Sequence, residues 1–308
     1  MPGRFVEIPM QACGLRLAVH AETVTNAGVC DPADSNCKDE SQIKQRAESL
    51  AQTLKLPFLD HRVADESKKT LAAELDVLLV VTSSRLELRM IGGDPITQGG
   101  KAVFCDLTQI NLKDPASTRY KQPIAKAVGL KPGQSKPVVA DATAGWGEDS
   151  WLLAALGCEV IAIERDAIIV ALLRDGLSRA GIQHDQIASR ITVLQDDALA
   201  RLLNWQSVSG TNLETSSGTN KTAGLPQPDV VYLDPMFPPK RKGAEAKPMR
   251  VLRQLVGADL DADDLLPAAR QLAKKRVVVK RPLHGVFLND EQPVVTHKGK
   301  SLRYDVYT

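Results

Sequence analysis

Asp141-Ala142-Thr143-Ala144-Gly145-Trp146-Gly147 follows an apolar run at 138–140 and precedes a helical stretch. Its two glycines let a backbone approach a ligand closely, where a β-carbon would clash. Alone, such a turn fits an ordinary loop as well as a ligand cradle. Glu164 raises its value, because it ends the next apolar run, nineteen positions beyond Gly145. A carboxylate placed there can accept hydrogen bonds from both hydroxyls of a ribose. The pair indicates a nucleoside, and both nicotinamide dinucleotides and S-adenosylmethionine carry one. A dinucleotide turn usually has a third glycine, which brings a helix N-terminus up to the pyrophosphate. Here Glu148 and Asp149 stand in that place and would repel it. The same acids suit a sulfonium cofactor with a charged amino group, so S-adenosylmethionine is the favoured ligand. Asp196 and Asp197 follow a third apolar run at 191–194, where a side chain can meet an adenine; helix capping accounts for them equally well.

A second group follows a fourth apolar run: Asp234-Pro235-Met236-Phe237-Pro238-Pro239. It resembles the Asp/Asn-Pro-Pro-aromatic motif of methyltransferases that modify planar amino groups. An exocyclic amine on a base is a poor nucleophile because its lone pair is delocalised into the ring. Acceptors for its two N–H bonds, the Asp234 carboxylate and the Pro235 carbonyl, would favour a pyramidal nitrogen, and Phe237 could stack on the extruded base. Methyl transfer is then mainly a matter of positioning, and it needs no metal. A rigid exit from a strand would have the same composition. Behind a cofactor turn and a ribose acid, the motif reads as chemistry. Lys240, Arg241 and Lys242 come next, and Lys280 and Arg281 end a fifth apolar run; these cations could hold RNA phosphates around a target base.

The elements that must position these groups alternate. Apolar runs at 138–140, 159–164, 191–194, 230–233 and 276–280 are separated by amphipathic stretches, including 150–156 and 167–180. Continuous apolar strands alternating with helices predict an α/β fold, a doubly wound Rossmann-like parallel sheet covered on both faces. Residues 1–120 read as a separate, small α+β unit: a helix near 41–54, a hairpin from 77–81 and 86–91, and a third strand within 101–107. Residues 121–308 form the second unit. Within it, 207–227 is rich in Ser, Thr, Gly and Asn and is expected to be a mobile insertion.

The bulk numbers set bounds. Among 308 residues, 43% are hydrophobic, enough for a sizeable core, and the net charge of +2 excludes a uniformly basic nucleic-acid coat. The five cysteines show no Cys-x-x-Cys spacing and no nearby histidines at ligand intervals, so neither a zinc site nor a disulfide framework is expected. No secretory signal or membrane span is visible in the sequence, and a cytoplasmic protein is the expectation.

Longer runs carry a family resemblance. Ala125-Lys126-Ala127-Val128-Gly129, Asp141 to Gly145, Tyr232 to Pro238, Leu255-Val256-Gly257 through Asp263, and Arg276 to Pro282 resemble the small-subunit ribosomal RNA methyltransferase J family. The resemblance spans about 123–308 and, more loosely, the hairpin at 77–91. It implies a class I S-adenosylmethionine-dependent methyltransferase domain that makes N2-methylguanosine at one site in 16S rRNA. Its partner would be that RNA or the small ribosomal subunit, with no metal, no membrane and no stable protein partner. Carried over position by position, its cofactor contacts fall on Glu148, Asp149, Glu164, Arg165, Asp197, Ala198 and Asp234, beside the turn residues Asp141, Gly145 and Gly147. Arg165 and Ala198 come from the resemblance alone. The chain departs from the family at Thr118 to Pro123, usually Arg/Gly-rich, at Trp146, at Glu148, often Arg, and in the 207–227 insertion. Adenine-N6 or protein-glutamine methylation, a nicotinamide-dependent oxidoreductase and a non-catalytic RNA-binding protein are the other readings of the same residues.

Overall fold

The computed structural model describes residues 15–22, 35–59, 75–91, 101–110, 112, 120–205, 213–214, 220–221, 224–236, 247–257 and 262–308. These residues divide into two compact units, one drawn from 1–105 and 239–257, the other from 106–238 and 258–308.

The first unit is a four-stranded sheet in the order β2-β1-β3-β4, built from β1 (Leu17–Ala21), β2 (Phe58–Leu59), β3 (Val77–Val81) and β4 (Leu86–Met90). Strand β1 runs parallel to both β2 and β3, whereas β3 and β4 form the antiparallel hairpin expected from their Ser-Ser turn. Helix α1 (Ser35–Leu54) packs on β1 and β3 and starts earlier than the apolar period suggests. The expected third strand at 101–107 reduces to one bridge, Leu88 to Val103. The unforeseen β1 contains His20, whose buried ring nitrogen lies 3.2 Å from the Leu59 carbonyl; a polar residue in a five-residue run hides the strand signal.

The second unit is a seven-stranded sheet. Its parallel part comprises β5 (Val138–Asp141), β6 (Glu159–Glu164), β7 (Ile191–Gln195), β10 (Val230–Leu233) and β11 (Arg276–Pro282), the five strands expected from the sequence. Two more, β12 (Val295–Lys298) and β13 (Leu302–Tyr307), extend it antiparallel, giving the order β12-β13-β11-β10-β5-β6-β7. Strand β13 escaped notice because Arg303 and Asp305 interrupt its apolar pattern. Both are buried, and Arg303 satisfies its charge on Asp305 at 3.0 Å and on the carbonyls of Pro282, Leu283 and Gly285. A two-residue ribbon, β8 (Leu213–Glu214) with β9 (Asn220–Lys221), lies within the expected mobile insertion, most of which falls outside the described residues.

Helices cover the sheet. They are α2 (Pro123–Ala127), α3 (Glu148–Ala155), α4 (Ala167–Ala188), α5 (Ala198–Leu203) and α7 (Ala262–Leu272), while α6 (Lys247–Val256) belongs to the first unit. Asp166 caps α4 by accepting from the backbone N–H groups of Ile168 and Ile169. Helix α4 runs past its expected end at 180 and bends at His184. Strand β10 is buried along its whole length, and with Ala140, Ile161, Leu265, Leu266 and Val279 it forms the core that fixes the strand ends carrying the site. Among the described residues no helix is long and apolar enough to cross a membrane.

Candidate active site

Among the described residues, Asp141, Glu164, Asp197, Asp234 and Lys280 stand at the carboxyl ends of β5, β6, β7, β10 and β11, where parallel sheets place their ligands. Register explains the convergence. Leu233 pairs with Val279, so the next residues on the two strands, Asp234 and Lys280, emerge side by side. Tyr232 pairs with Asp141 across β10 and β5, and Glu164 pairs with Gln195 across β6 and β7.

The turn after β5 is shaped by glycine. Gly147 holds φ +75° at the N-cap of α3, and a β-carbon there would lie 2.3 Å from Leu173 Cδ1. Both backbone sign and space therefore exclude a side chain. Glu148 and Asp149 open the helix, where the dipole favours acids. Glu148 is exposed, while Asp149 turns inward.

At one end of the site stands Glu164. Its Oε2 accepts from the Gly145 N–H at 3.0 Å, and its Oε1 accepts from the Asp166 N–H at 2.8 Å. Each oxygen keeps a second lone pair, so the carboxylate can still receive two ribose hydroxyls. Burial raises its pKa to about 7, against the lowering effect of the Asp166 N–H. Asp141 is 1% exposed, accepts from Ser150 Oγ at 2.5 Å and is likewise raised to about 7 by burial.

At the other end Asp234 is half-buried. Its backbone N–H donates to Thr143 Oγ1 at 2.6 Å, tying the reaction motif directly to the cofactor turn. Its carboxylate meets Lys280 Nζ at 2.9 Å, and the same ammonium donates to Asp149 Oδ2 at 2.6 Å. Asp149 also accepts from the buried Tyr232 hydroxyl at 2.8 Å. Burial pushes Asp234 up to about 6, and the Lys280 charge opposes that rise. For Lys280 burial disfavours the ammonium, but Asp234 and Asp149 outweigh it and hold the proton firmly.

The remaining expectations separate. Asp197 caps α5, its Oδ1 accepting from the Ala200 N–H at 2.8 Å, and Asp196 is engaged by Arg201, so the capping geometry is present. Ala198 is the first residue of α5, and Arg165 follows Glu164; both are half-buried. Lys280, expected at the rim for a phosphate, lies inside the carboxylate network instead. Arg281 points the other way on β11: it is 2% exposed and donates from Nε to the Val286 carbonyl at 2.8 Å, which gives it to the fold. Pro235 is buried beside Asp234. Phe237, Lys240, Arg241 and Lys242 lie outside the described residues. Sequence reasoning missed Thr143, Ser150 and Tyr232 as supports and the inward role of Lys280. Aligning the run ending at Leu233 with the run ending at Val279 would have exposed the last.

The donor set fits a cationic nucleoside cofactor. The Glu164 carboxylate has lone pairs that could accept from a ribose, and Asp149 and Asp234, with one ammonium between them, leave the far end net negative, which suits a sulfonium and an amino group. Fold and site together define a methyltransferase that uses S-adenosylmethionine. A family model of SAM-dependent methyltransferases matches residues 62–308. The chain is 44% identical over 236 residues to the ribosomal RNA small subunit methyltransferase J of Aeromonas salmonicida, covering 74% of this chain and 85% of the relative. It is 42% identical over 252 residues to the protein of that name from Haemophilus influenzae, covering 80% and 87%. The crystal structure of a SAM-dependent methyltransferase from Neisseria gonorrhoeae is similar across 94% of this chain and 95% of its own, with a TM-score of 0.59 and 29% identity. The chain belongs to the ribosomal RNA small subunit methyltransferase J family, which sets aside the nicotinamide and non-catalytic readings.

Proposed function

We propose that this enzyme methylates the exocyclic N2 of one guanosine in 16S rRNA of the small ribosomal subunit, giving N2-methylguanosine. The supporting observation is the placement of Asp234 and Pro235 at the end of β10, joined to the cofactor turn through Thr143 Oγ1 at 2.6 Å. That link sets an amine-binding carboxylate at a fixed distance from the residues that hold the methyl donor. When bound, S-adenosylmethionine would supply an electrophilic methyl group, transferred to the amine nitrogen with the carbon–sulfur electron pair retained by a neutral thioether product. The chain's residues do the rest. Asp234 accepts one N–H of the amine and Pro235 offers its carbonyl to the other, so the lone pair localises on nitrogen; that nitrogen afterwards gives one proton to solvent. Glu164 holds the ribose, and Asp149 faces the cationic end of the donor.

Phe237 stacks on the extruded base in this reading, and Lys240, Arg241 and Lys242 hold the flanking phosphates. Arg165, Asp197 and Ala198 line the nucleoside. The enzyme works in the cytoplasm, where its RNA is assembled into subunits. Its test is genetic and chemical. In a strain lacking the gene, nuclease mapping and mass spectrometry of 16S rRNA should show the loss of one N2-methylguanosine, restored by the purified enzyme with S-adenosylmethionine. An unchanged modification map, or a methyl group restored on another base or atom, would overturn the assignment.

A further inference from the structure

Lys280 is the one site residue whose observed place departs most from its sequence reading, and the chemistry of that place is specific. Its ammonium sits between two carboxylates that belong to different jobs: Asp149, which opens the helix behind the cofactor turn, and Asp234, which faces the acceptor. The side chain is 19% exposed, so it is a poor surface phosphate contact. We propose that Lys280 is the positioning residue of the methyl transfer, clamping the Asp234 carboxylate in the orientation in which it accepts the amine N–H. The inference rests on the reading of Asp234 as the amine acceptor.

The physical argument is one of competing charges. Asp234 is crowded by groups that oppose its ionisation: Asp149 from α3, Asp141 from β5, and the low-dielectric body of the site itself. The phenols of Tyr232 on β10 and Tyr304 on β13 face the same cluster, and both are neutral, raised by burial. Lys280 is the cation in direct contact, with Arg281 a more distant one. A protonated Asp234 would keep one carbonyl acceptor but carry a hydroxyl on the other oxygen and lose the charge that makes it a strong acceptor. Removing the ammonium should therefore do two things together: move the ionisation of Asp234 to higher pH, and free its carboxyl to rotate.

The test is a pH–rate profile of single-turnover methylation of small subunits lacking the modification, at saturating S-adenosylmethionine. Wild type should lose activity as pH falls through about 6. Lys280→Met should carry that acid limb upward by about one unit and lower the plateau rate on the order of tenfold to a hundredfold, with KM for the subunit changed less than about threefold. Lys280→Arg should restore the limb. Lys280→Gln must repeat the Met result, which guards against a Met variant that folds poorly. A Met variant with an unmoved limb and a raised, salt-sensitive KM would overturn the proposal in favour of a phosphate contact. A second readout does not depend on the RNA: in protein labelled with ¹³C at aspartate carboxyls, the Asp234 signal, assigned by Asp234→Asn, should titrate at higher pH in Lys280→Met. If wild type methylates no guanosine, the function falls while this titration still judges Lys280. If wild type methylates and neither profile nor titration moves, the role of Lys280 alone falls.

Discussion

The two ends of the site are built from the same side-chain chemistry and held in opposite ways. Glu164, at the end of β6, receives a backbone N–H on each oxygen, and only 7% of the residue is exposed. Asp234, two strands away at the end of β10, has its carboxylate held by a flexible lysine, and 37% of its side chain is exposed. Backbone donors cannot leave without unfolding a turn, so the Glu164 end is a finished receptor before any ligand arrives. At the Asp234 end one side chain, the Lys280 ammonium, does the holding, so the orientation of that carboxylate depends on a group that a single substitution removes. Strand β5 and its turn separate the two, and Thr143 joins them. On the proposed reading, binding and reaction are divided along the carboxyl ends of one sheet, the half held by backbone for the nucleoside and the half held by a side chain for the amine.

The largest effect that would break this division is at Asp234. Asp234→Ala should lower the methyl-transfer rate on the order of a hundredfold to a thousandfold, the scale seen when a single preorganised polar contact to a reacting group is removed. Calorimetry with S-adenosylhomocysteine, a neutral thioether that lacks the sulfonium charge and whose amino group would keep Asp149 as its partner, should show affinity within a few-fold of wild type. If affinity collapses together with the rate, Asp234 holds the cofactor as well, and the two ends are one. The reciprocal change, Glu164→Ala, should weaken S-adenosylhomocysteine about tenfold to a hundredfold, from the loss of hydrogen bonds to a charged acceptor worth roughly 1.5–3 kcal/mol. Its rate at saturating donor should stay within a few-fold. A rate that falls at saturation would place Glu164 in the chemistry.

How far these roles could be read in advance depended on what each element shows locally. The five parallel strands announce themselves because burial on both faces demands uninterrupted apolar runs. Strand β13 does not, since a buried Arg303–Asp305 pair, its arginine also donating to three carbonyls, looks in sequence like a solvated stretch. The strand-end positions of Glu164 and Asp234 were legible because Glu164 closes such a run and Asp234 follows directly after one. Lys280 stands after one too, yet its residue type suggested phosphate. Its inward direction follows from the pairing of β10 with β11, a long-range fact that no local window contains. Arg281 was misdirected for the same reason, because alternation along β11 sends neighbours to opposite faces.

The rigid end also makes a pH prediction. Burial raises Glu164 from 4.5 to about 7, and ribose hydroxyls donate more strongly, and on both oxygens, to its ionised form. Affinity for S-adenosylhomocysteine should therefore rise from pH 6 to 8 and then level, by up to about tenfold per unit below the pKa. Glu164→Gln should flatten the curve. The sign for stability is the reverse. A carboxyl whose folded pKa exceeds its unfolded value binds an extra proton when folded, so stability falls as pH rises from 4.5 through about 7. Asp141, also at about 7, adds to the same trend. Thermal melts of the free protein between pH 5 and 8 should fall, and S-adenosylhomocysteine should recover most at the alkaline end. A free protein whose stability does not fall over that range, in a His297→Gln background that removes the opposing trend of the lowered His297, would mean that Glu164 and Asp141 are not raised as burial suggests.

The smallest effect tests where the rigid half stops. Asp197 is exposed, and its carboxylate caps α5 through the Ala200 N–H at 2.8 Å, while its neighbour Asp196 is committed to Arg201. Asp197→Ala should cost about 1 kcal/mol of helix capping, visible as a fall of about 2–4 °C in Tm for a unit of this size. Asparagine at this position keeps an oxygen for the cap but removes the charge. If Asp197 serves only the helix, Asp197→Asn should match wild type in both Tm and S-adenosylhomocysteine affinity. If an adenine amino group also donates to it, Asp197→Asn keeps the Tm and loses affinity about threefold to tenfold, the worth of a charge-assisted over a neutral hydrogen bond. The second outcome would extend the receptor from the ribose to the base across β7, and only a carboxylate that serves cap and ligand at once could produce it.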